Sequence, residues 1–142
     1  MKKIIFLFVL SLVVSTPSVF AQKVVSLKKH KIVFQLTNND TLVHKAMVKQ
    51  INNALTAAPN AKIEVVCHNN GIEFLTAAKT KQASAIAELK AKGVVFAACE
   101  NTLRERKIDK SEIVSEAIFV PAGILEVVMK QEQKYSYIKA SF

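Results

Sequence analysis

The sequence predicts an α/β domain built on a parallel sheet, and three observations support this prediction. Short apolar segments rich in β-branched residues alternate along the chain with segments whose apolar residues recur at helical spacing. The predicted strands are apolar almost throughout, which is typical of strands that are covered on both faces. The chain has 142 residues, which is the length of one ordinary domain.

The first strand and the first helix follow a short polar lead-in at 22–30. Residues 31–37 (KIVFQLT) are mostly β-branched, aromatic or apolar and predict a buried strand. The side chains at 38–40 (NND) are typical of a helix N-cap. Apolar residues then recur at helical spacing over 41–58, up to Pro59, which predicts a helix with one face against the sheet.

The same alternation continues to the end of the chain. Gly93 is typical of the residue that follows a helix. The spacing of these segments leaves the order of the strands in the sheet open. Four more apolar runs predict strands at 62–67, 94–99, 117–120 and 135–139, and the segments between them predict helices at 72–78, 81–92, 100–107, 111–116 and 121–133.

Residues 1–21 predict a cleavable secretory signal peptide. Basic residues at 2–3 precede an apolar run at 4–14, which as a helix would cross about half of a bilayer core. Small residues at the −3 and −1 positions indicate cleavage after Ala21. The alternative is a permanent anchor or a buried N-terminal helix. We expect a mature protein of residues 22–142, periplasmic or secreted, with no stable membrane anchor after cleavage.

The positive charge of the chain does not indicate a nucleic-acid partner. The chain has 20 basic and 11 acidic residues and a formal net charge of +9. Loss of the two lysines in the predicted signal would leave +7. The remaining lysines are dispersed, and no aromatic residues alternate with them to stack on bases. We therefore predict a solvated basic surface and no nucleic-acid partner.

Polar and reactive side chains follow several of the predicted strands. Ligands of open parallel sheets bind beyond the carboxyl ends of the strands, so these side chains mark the predicted functional edge. Both cysteines of the chain fall on this edge. The candidate residues here are Asn38 after the first strand, Cys67, His68 and Asn69 at the second, and Cys99, Asn101, Thr102 and Arg104 at the third.

Cys99 is the main candidate for a reactive group. It ends an apolar strand and directly precedes a predicted helix, so we expect its sulfur to face unpaired amides of that helix, which favours the thiolate. Asn101 and Thr102 are candidate hydrogen-bond donors, and Arg104 would add positive potential. The alternative is a small buried apolar residue at a strand end, as most free cysteines are.

Cys67 holds the corresponding position on the preceding strand. His68 follows it and would either donate to a thiolate or close the loop. Two cysteines at one edge of an exported protein also allow a disulfide, provided that their strands are neighbours. The three histidines of the chain are scattered and no carboxylates are paired, so we expect no metal site and no cofactor.

Two segments of the chain resemble the DsrE/DsrF-like family. Residues 94–106 (VVFAACENTLRER) are similar to the cysteine motif of the family, and residues 120–124 (VPAGI) are similar to its C-terminal pattern. The resemblance covers residues 31–142, which we take as the domain. Supporting matches are 39–40 (ND), 65–72 (VVCHNNGI), Gln131 and 137–139 (YIK).

This resemblance implies a three-layer α/β/α domain with a mostly parallel five-stranded sheet, assembled as a trimer or hexamer. In the sulfur-relay branch of the family, one cysteine carries sulfur as a persulfide between partner proteins. The motif places that cysteine at Cys99. The resemblance therefore implies a sulfur-handling protein whose partner is a sulfur donor or acceptor protein.

Two other functions stay open at this stage. The first is a non-catalytic oligomeric module that binds a small ligand or a protein at the sheet edge through Asn38, Asn69 and Asn101. The second is a thiol–disulfide redox pair of Cys67 and Cys99. Whether the protein acts as an enzyme is also open, because a sulfur carrier can be used stoichiometrically.

Overall fold

The computed structural model describes residues 25–141. The predicted signal peptide at 1–21 and its cleavage site lie outside these residues. In the described part of the chain, five strands alternate with four α-helices and two short 3-10 helices. The strands are β1 (Lys31–Leu36), β2 (Lys62–Cys67), β3 (Val95–Cys99), β4 (Ala117–Val120) and β5 (Ser136–Lys139). The helices are α1 (Thr41–Ala57), α2 (Ala83–Ala91), α3 (Glu100–Arg106) and α4 (Gly123–Glu132), and the 3-10 helices span Asn69–Phe74 and Lys110–Glu112.

All five strands are parallel and lie in the order β4-β3-β2-β1-β5. The chain moves along the sheet from β1 to β4 and then crosses the whole sheet to β5 at the opposite edge. Because such crossovers are right-handed, this reversal places α1, α2 and α3 on one face of the sheet and α4 on the other. The predicted α/β fold with a parallel five-stranded sheet is therefore confirmed, and the strand order is now defined.

Two apolar clusters cover the two faces of the sheet. Side chains alternate along a strand, so Phe34 and Leu36 of β1 point to one face and Val33 points to the other. The larger cluster lies between the sheet and the layer of α1 and α2, and the smaller one lies under α4. The larger cluster includes Phe34, Leu36, Met47, Ile51, Ile86 and Leu89. The smaller cluster consists of Val33, Val66, Ala97, Val120 and Val127.

Two short helices predicted from the sequence differ in the structure. The helix predicted at 72–78 is replaced by the 3-10 helix Asn69–Phe74, because Gly71 passes directly against the end of β1. A Cβ atom at Gly71 would lie 2.1 Å from the carbonyl oxygen of Leu36, so the chain has to turn tightly here. The helix predicted at 111–116 shortens to Lys110–Glu112, because the next residue, Ile113, pairs in an antiparallel bridge.

The turn into α1 matches its prediction. Asp40 is the N-cap residue, and its Oδ1 accepts a hydrogen bond of 2.8 Å from the backbone N–H of Leu42. Among residues 25–141, no helix has both the length and the apolar character that a membrane span requires.

Candidate functional site

Cys99 ends β3 at the carboxyl edge of the sheet and directly precedes α3. Its side chain points to the α4 face, because its neighbour Ala98 belongs to the larger core and Ala97 to the smaller one. The residue keeps 4% of its surface exposed. The thiol therefore lies in a recess where α3 and α4 both begin.

Four hydrogen-bond donors surround the sulfur of Cys99. The backbone N–H of Gly123 donates to Sγ over 3.2 Å. The hydroxyl and backbone N–H of Thr102 and the backbone N–H of Asn101 are further donors that lower the pKa of Cys99, and the Asn101 N–H also donates to the carbonyl of Pro121 over 3.3 Å. Burial raises the pKa of the Cys99 thiol and is the largest single influence. The hydrogen bonds together outweigh burial and hold this pKa below its usual value, which increases the thiolate fraction.

Gly123 is the residue that lets α4 approach the thiol so closely. A Cβ atom at this position would lie 3.2 Å from the Cβ of Cys99 and 3.0 Å from the Cβ of His68. A larger residue would have to move the first turn of α4 away from the sheet edge. The segment between β4 and α4 therefore serves to deliver one N–H group to the sulfur.

His68 lies beside Cys99 on the same face of the sheet. Cys67 pairs with Ala98 in the parallel register, so the next residues, His68 and Cys99, are neighbours at the edge. His68 is half-buried, and burial lowers its pKa. Its Nε2 lies 2.8 Å from the side-chain nitrogen of Gln35, so this ring nitrogen is engaged with Gln35 and not with the sulfur.

Gln35 and Tyr137 belong to this edge and were missed by the sequence analysis. The Tyr137 hydroxyl donates a hydrogen bond to Oε1 of Gln35, which in turn contacts His68. Gln35 is the one polar residue between Ile32 and Leu36 of an otherwise apolar strand. That irregularity is the signal that could have identified it. Nothing in the sequence places Tyr137 next to it.

Thr102 is held in place by the loop after β2. The backbone N–H of Asn69 donates to Oγ1 of Thr102 over 3.1 Å. The side-chain oxygens of Asn69 and Asn70 accept hydrogen bonds from Arg106, and the bond to Asn69 is 2.8 Å long. Thr102 is buried, so these contacts fix the hydroxyl that faces the sulfur.

Arg104 does not have the predicted role near the thiol. Its guanidinium donates to the side-chain oxygen of Asn101. It also lines a surface cavity of about 370 Å³ along α3. The pKa of Cys99 is lowered by hydrogen bonds rather than by the charge of Arg104. The side-chain oxygen of Asn101 is occupied by Arg104, and its backbone N–H, which donates to the carbonyl of Pro121, makes the smallest of the hydrogen-bond contributions that lower the pKa of Cys99.

The side-chain oxygens of the three asparagines predicted to bind a ligand, Asn38, Asn69 and Asn101, already accept hydrogen bonds within the protein. The side-chain oxygen of Asn38 accepts a hydrogen bond from the backbone N–H of Asp40 over 2.5 Å. The backbone carbonyl of Asn38 accepts another from Nε2 of His44 over 2.8 Å. Asn38 thus closes the turn before α1. The side-chain oxygens of Asn69 and Asn101 are taken by the two arginines described above. The structure gives the binding module no converging set of free asparagine oxygens.

Cys67 is not a second thiol of this site. It is buried in the larger core, on the face of the sheet opposite to Cys99. Burial raises the pKa of the Cys67 thiol far above its usual value, which keeps it protonated and unreactive. Their strands are neighbours, but the two side chains point to opposite faces. The structure does not bring the predicted disulfide or redox pair together, and both thiols are free.

Comparisons with known proteins agree with this fold. The sequence model of the DsrE/DsrF-like family matches residues 30–140. No curated protein matches the chain. The structure is similar to that of a protein of unknown function from Methanobacterium thermoautotrophicum, with a TM-score of 0.75 and 25% sequence identity. The matched region covers 78% of this chain and 99% of that one.

Proposed function

Because the chain belongs to the DsrE/DsrF-like family, we propose that it is a sulfur-handling protein that carries sulfane sulfur as a persulfide on Cys99. The observation that carries this proposal is the buried Sγ of Cys99, which accepts a hydrogen bond from the Gly123 N–H at the start of α4, with Thr102 and Asn101 of α3 as further donors that lower its pKa. A sulfur carrier needs a thiolate that attacks readily and also leaves readily. The same donors serve both needs, since the sulfur of Cys99 is anionic before it is loaded and after it is unloaded.

The reaction is an exchange between sulfur atoms. The Cys99 thiolate attacks the outer sulfur of a donor persulfide, and a new S–S bond forms as the S–S bond of the donor breaks. The donor thiolate leaves with the electron pair of that bond. An acceptor thiolate later attacks the outer sulfur on Cys99 in the same way and releases the Cys99 thiolate. The exchange is redox-neutral and requires no oxidant.

The recess around Cys99 restricts the sulfur donor and acceptor. With 4% of the residue exposed, a broad protein surface cannot bring its own sulfur into contact with Sγ. The donor has to present its sulfane sulfur at the end of a narrow group. A small persulfide or polysulfide, or a cysteine at the tip of a partner protein's loop, meets this requirement.

Mass spectrometry after incubation with polysulfide tests the proposal. We expect wild-type protein to gain about 32 Da, the mass of one sulfur atom, and to lose it on reduction. Cys99→Ser should not gain this mass, whereas Cys67→Ser, the matched control, should gain it as the wild type does. An unmodified wild-type protein, or equal labelling of Cys99→Ser, would overturn the proposal.

We also propose that the protein is exported and that copies of it associate. The features of residues 1–21 support export, and the N-terminus of the mature protein tests it. Cleavage before Gln22 in the periplasmic fraction is expected, and a retained N-terminus in the membrane fraction would contradict it.

The association of copies is supported by the outer face of α4, where four apolar side chains are 38–60% exposed. They are Ile124, Leu125, Val128 and Met129.

A further inference from the structure

Helix α4 turns a mostly polar side toward the sheet. Its buried residues are Gly123, Glu126 and Val127, and Lys130 follows them on the same side with 18% of its side chain exposed. Residues at i, i+3, i+4 and i+7 form one face of a helix. Val127 is the one residue of α4 that belongs to the smaller core. Apolar contact therefore accounts for only a small part of the attachment of α4.

Burial of apolar surface alone would favour a different rotation of α4 about its axis. Ile124, Leu125, Val128 and Met129 form a second side of the helix, and each of them is exposed. A rotation that brought these four side chains onto the sheet would remove more apolar surface from water than Val127 does. An interaction other than apolar contact therefore selects the observed rotation.

The interaction that selects this rotation is a buried ion pair with Glu64 of β2. The side chain of Glu64 lies on the α4 face of the sheet, since Val66, two residues later, belongs to the smaller core. Nζ of Lys130 lies 2.6 Å from Oε2 of Glu64 and 3.3 Å from Oε1 of Glu126. Glu64 is 2% exposed, so it depends on a protein cation to remain charged.

The strands on either side of β2 offer Glu64 no charged partner. Its neighbours in the parallel register are Val33 of β1 and Val95 of β3, and its Oε1 has no hydrogen-bond partner within the described chain. The charged groups that face Glu64 are Lys130 and Glu126, both on α4. A rotation that turned Lys130 away would leave a buried carboxylate without its cation, which is strongly unfavourable.

The rotation of α4 also decides where the N–H of Gly123 lies. Gly123 is the first residue of α4 and is on the same side as Glu126 and Lys130. The rotation that brings Lys130 to Glu64 therefore also brings this N–H to 3.2 Å from Sγ of Cys99. The hydrogen bond from Gly123 is one of those that lower the pKa of the Cys99 thiol.

We propose that Glu64 and Lys130 are positioning residues for Cys99, because their buried ion pair fixes the rotation of α4 that places the N–H of Gly123 on the sulfur. The proposal concerns the thiolate itself, and only its use in sulfur transfer rests on the proposed function. The two residues act through α4 and take no part in the exchange of sulfur atoms.

The pH profile of Cys99 alkylation by iodoacetamide tests the proposal, with modification of Cys99 followed by mass spectrometry. Lys130→Met is expected to move the profile to higher pH and to slow alkylation about five- to tenfold at neutral pH, because the sulfur loses one donor. Lys130→Arg keeps a cation for Glu64 and should keep a profile close to that of the wild type. An unmoved profile in Lys130→Met would overturn the proposal.

Glu64→Leu separates positioning from a direct electrostatic effect on the thiol. Removal of a negative charge with α4 unmoved would favour the thiolate and move the profile to lower pH. Loss of the ion pair, with an apolar residue now facing α4, releases the observed rotation and should move the profile to higher pH. A move to lower pH would contradict the proposal. This variant also gives the comparison if Lys130→Met does not fold.

Leu89→Ala controls for a general loss of stability. Leu89 is fully buried in the larger core, on the other face of the sheet, so its truncation should lower the free energy of unfolding and leave the profile in place. Urea denaturation of each variant measures that loss. An equal move of the profile in Leu89→Ala and Lys130→Met would overturn the proposal.

None of these measurements requires a persulfide. If polysulfide fails to load Cys99 while the pH profiles behave as expected, the proposed function fails and the positioning role of Glu64 and Lys130 stands. If polysulfide loads Cys99 and Lys130→Met keeps the profile of the wild type, the positioning role fails and the proposed function stands.

Discussion

At Cys99, burial and hydrogen bonding act on the same thiol in opposite directions. Burial favours the neutral SH form, and the donors around Sγ favour the thiolate. The Thr102 hydroxyl is the one side-chain donor of the four, so a substitution can remove it without changing the backbone. This makes Thr102 the residue through which the balance can be measured.

Thr102→Val is expected to raise the pKa of Cys99. The substitution removes one donor to the thiolate and keeps the size and the burial of the side chain. A higher pKa means a smaller thiolate fraction at neutral pH, so iodoacetamide should react about five- to tenfold more slowly. At a pH above both pKa values, the two proteins should react at similar rates. The measurement is the alkylation rate as a function of pH.

Two variants control this experiment. Thr102→Ser keeps the hydroxyl and should react nearly as fast as the wild type. Thr76→Val removes another buried hydroxyl, which donates to the carbonyl of Ile72 and not to the thiol. It should leave the pH profile unchanged. If Thr102→Val had the profile of the wild type, the Thr102 hydroxyl would not be a donor to Cys99.

The site was predictable to the extent that its residues are close in sequence. Cys99 and Thr102 lie within one turn of a helix, and the strand-to-helix position alone predicts their contact. Gln35 of β1, Tyr137 of β5 and Gly123 at the start of α4 reach the same edge from distant parts of the chain. Their positions depend on the strand order β4-β3-β2-β1-β5, which follows from long-range pairing and not from local spacing.

The strands and helices were also predictable where they depend on local sequence, and not where they depend on contacts between distant segments. Each predicted strand was found, because a strand covered on both faces is a short continuous apolar run. The 3-10 helix Asn69–Phe74 was not predicted, because it results from the close approach of Gly71 to the carbonyl of Leu36 on another strand. Local patterns predict which segments are regular, and contacts between segments decide how each one ends.

A buried ionic cluster attaches α4 to the centre of the sheet. Nζ of Lys130 lies 2.6 Å from Oε2 of Glu64 and 3.3 Å from Oε1 of Glu126. Glu64 is on β2 and is almost fully buried, and its Oε1 has no hydrogen-bond partner within the described chain. Burial raises the pKa of Glu64, although Lys130 opposes this effect. Lys130 therefore stabilises the negative charge of Glu64, which burial alone would disfavour.

Lys130→Met should destabilise the protein by about 3 kcal/mol at neutral pH, because it leaves Glu64 buried without its cation. Denaturation by urea measures this change in the free energy of unfolding. The loss should be smaller at acidic pH, where a Glu64 with a raised pKa is protonated and needs no partner. The double variant Lys130→Met/Glu64→Gln should recover most of the stability. Equal losses in the single and double variants would show that the lysine contributes packing and not charge compensation.

The whole molecule has one well-covered face and one that is covered incompletely. In the described chain, α1 and α2 cover the larger core, whereas α4 alone packs over the smaller one. The outer side of α4 then presents a second apolar stripe to solvent, beginning one residue after the glycine that contacts Cys99. Ile118 of β4, on the same face of the sheet, is also exposed. Several exposed apolar side chains on one face of a protein are typical of an interface.

Leu125→Glu should therefore dissociate the proposed homo-oligomer. Leu125 is 55% exposed on α4, so its replacement does not open a cavity, but an interface between copies would have to bury the new charge. Sedimentation velocity at several concentrations is the measurement, with a trimer or hexamer expected for the wild type and a monomer for the variant. Leu42→Glu is the matched control, because Leu42, which is 63% exposed, is a similarly exposed leucine on α1, in the opposite layer. A monomeric wild type, or dissociation by Leu42→Glu alone, would show that α4 is not the interface.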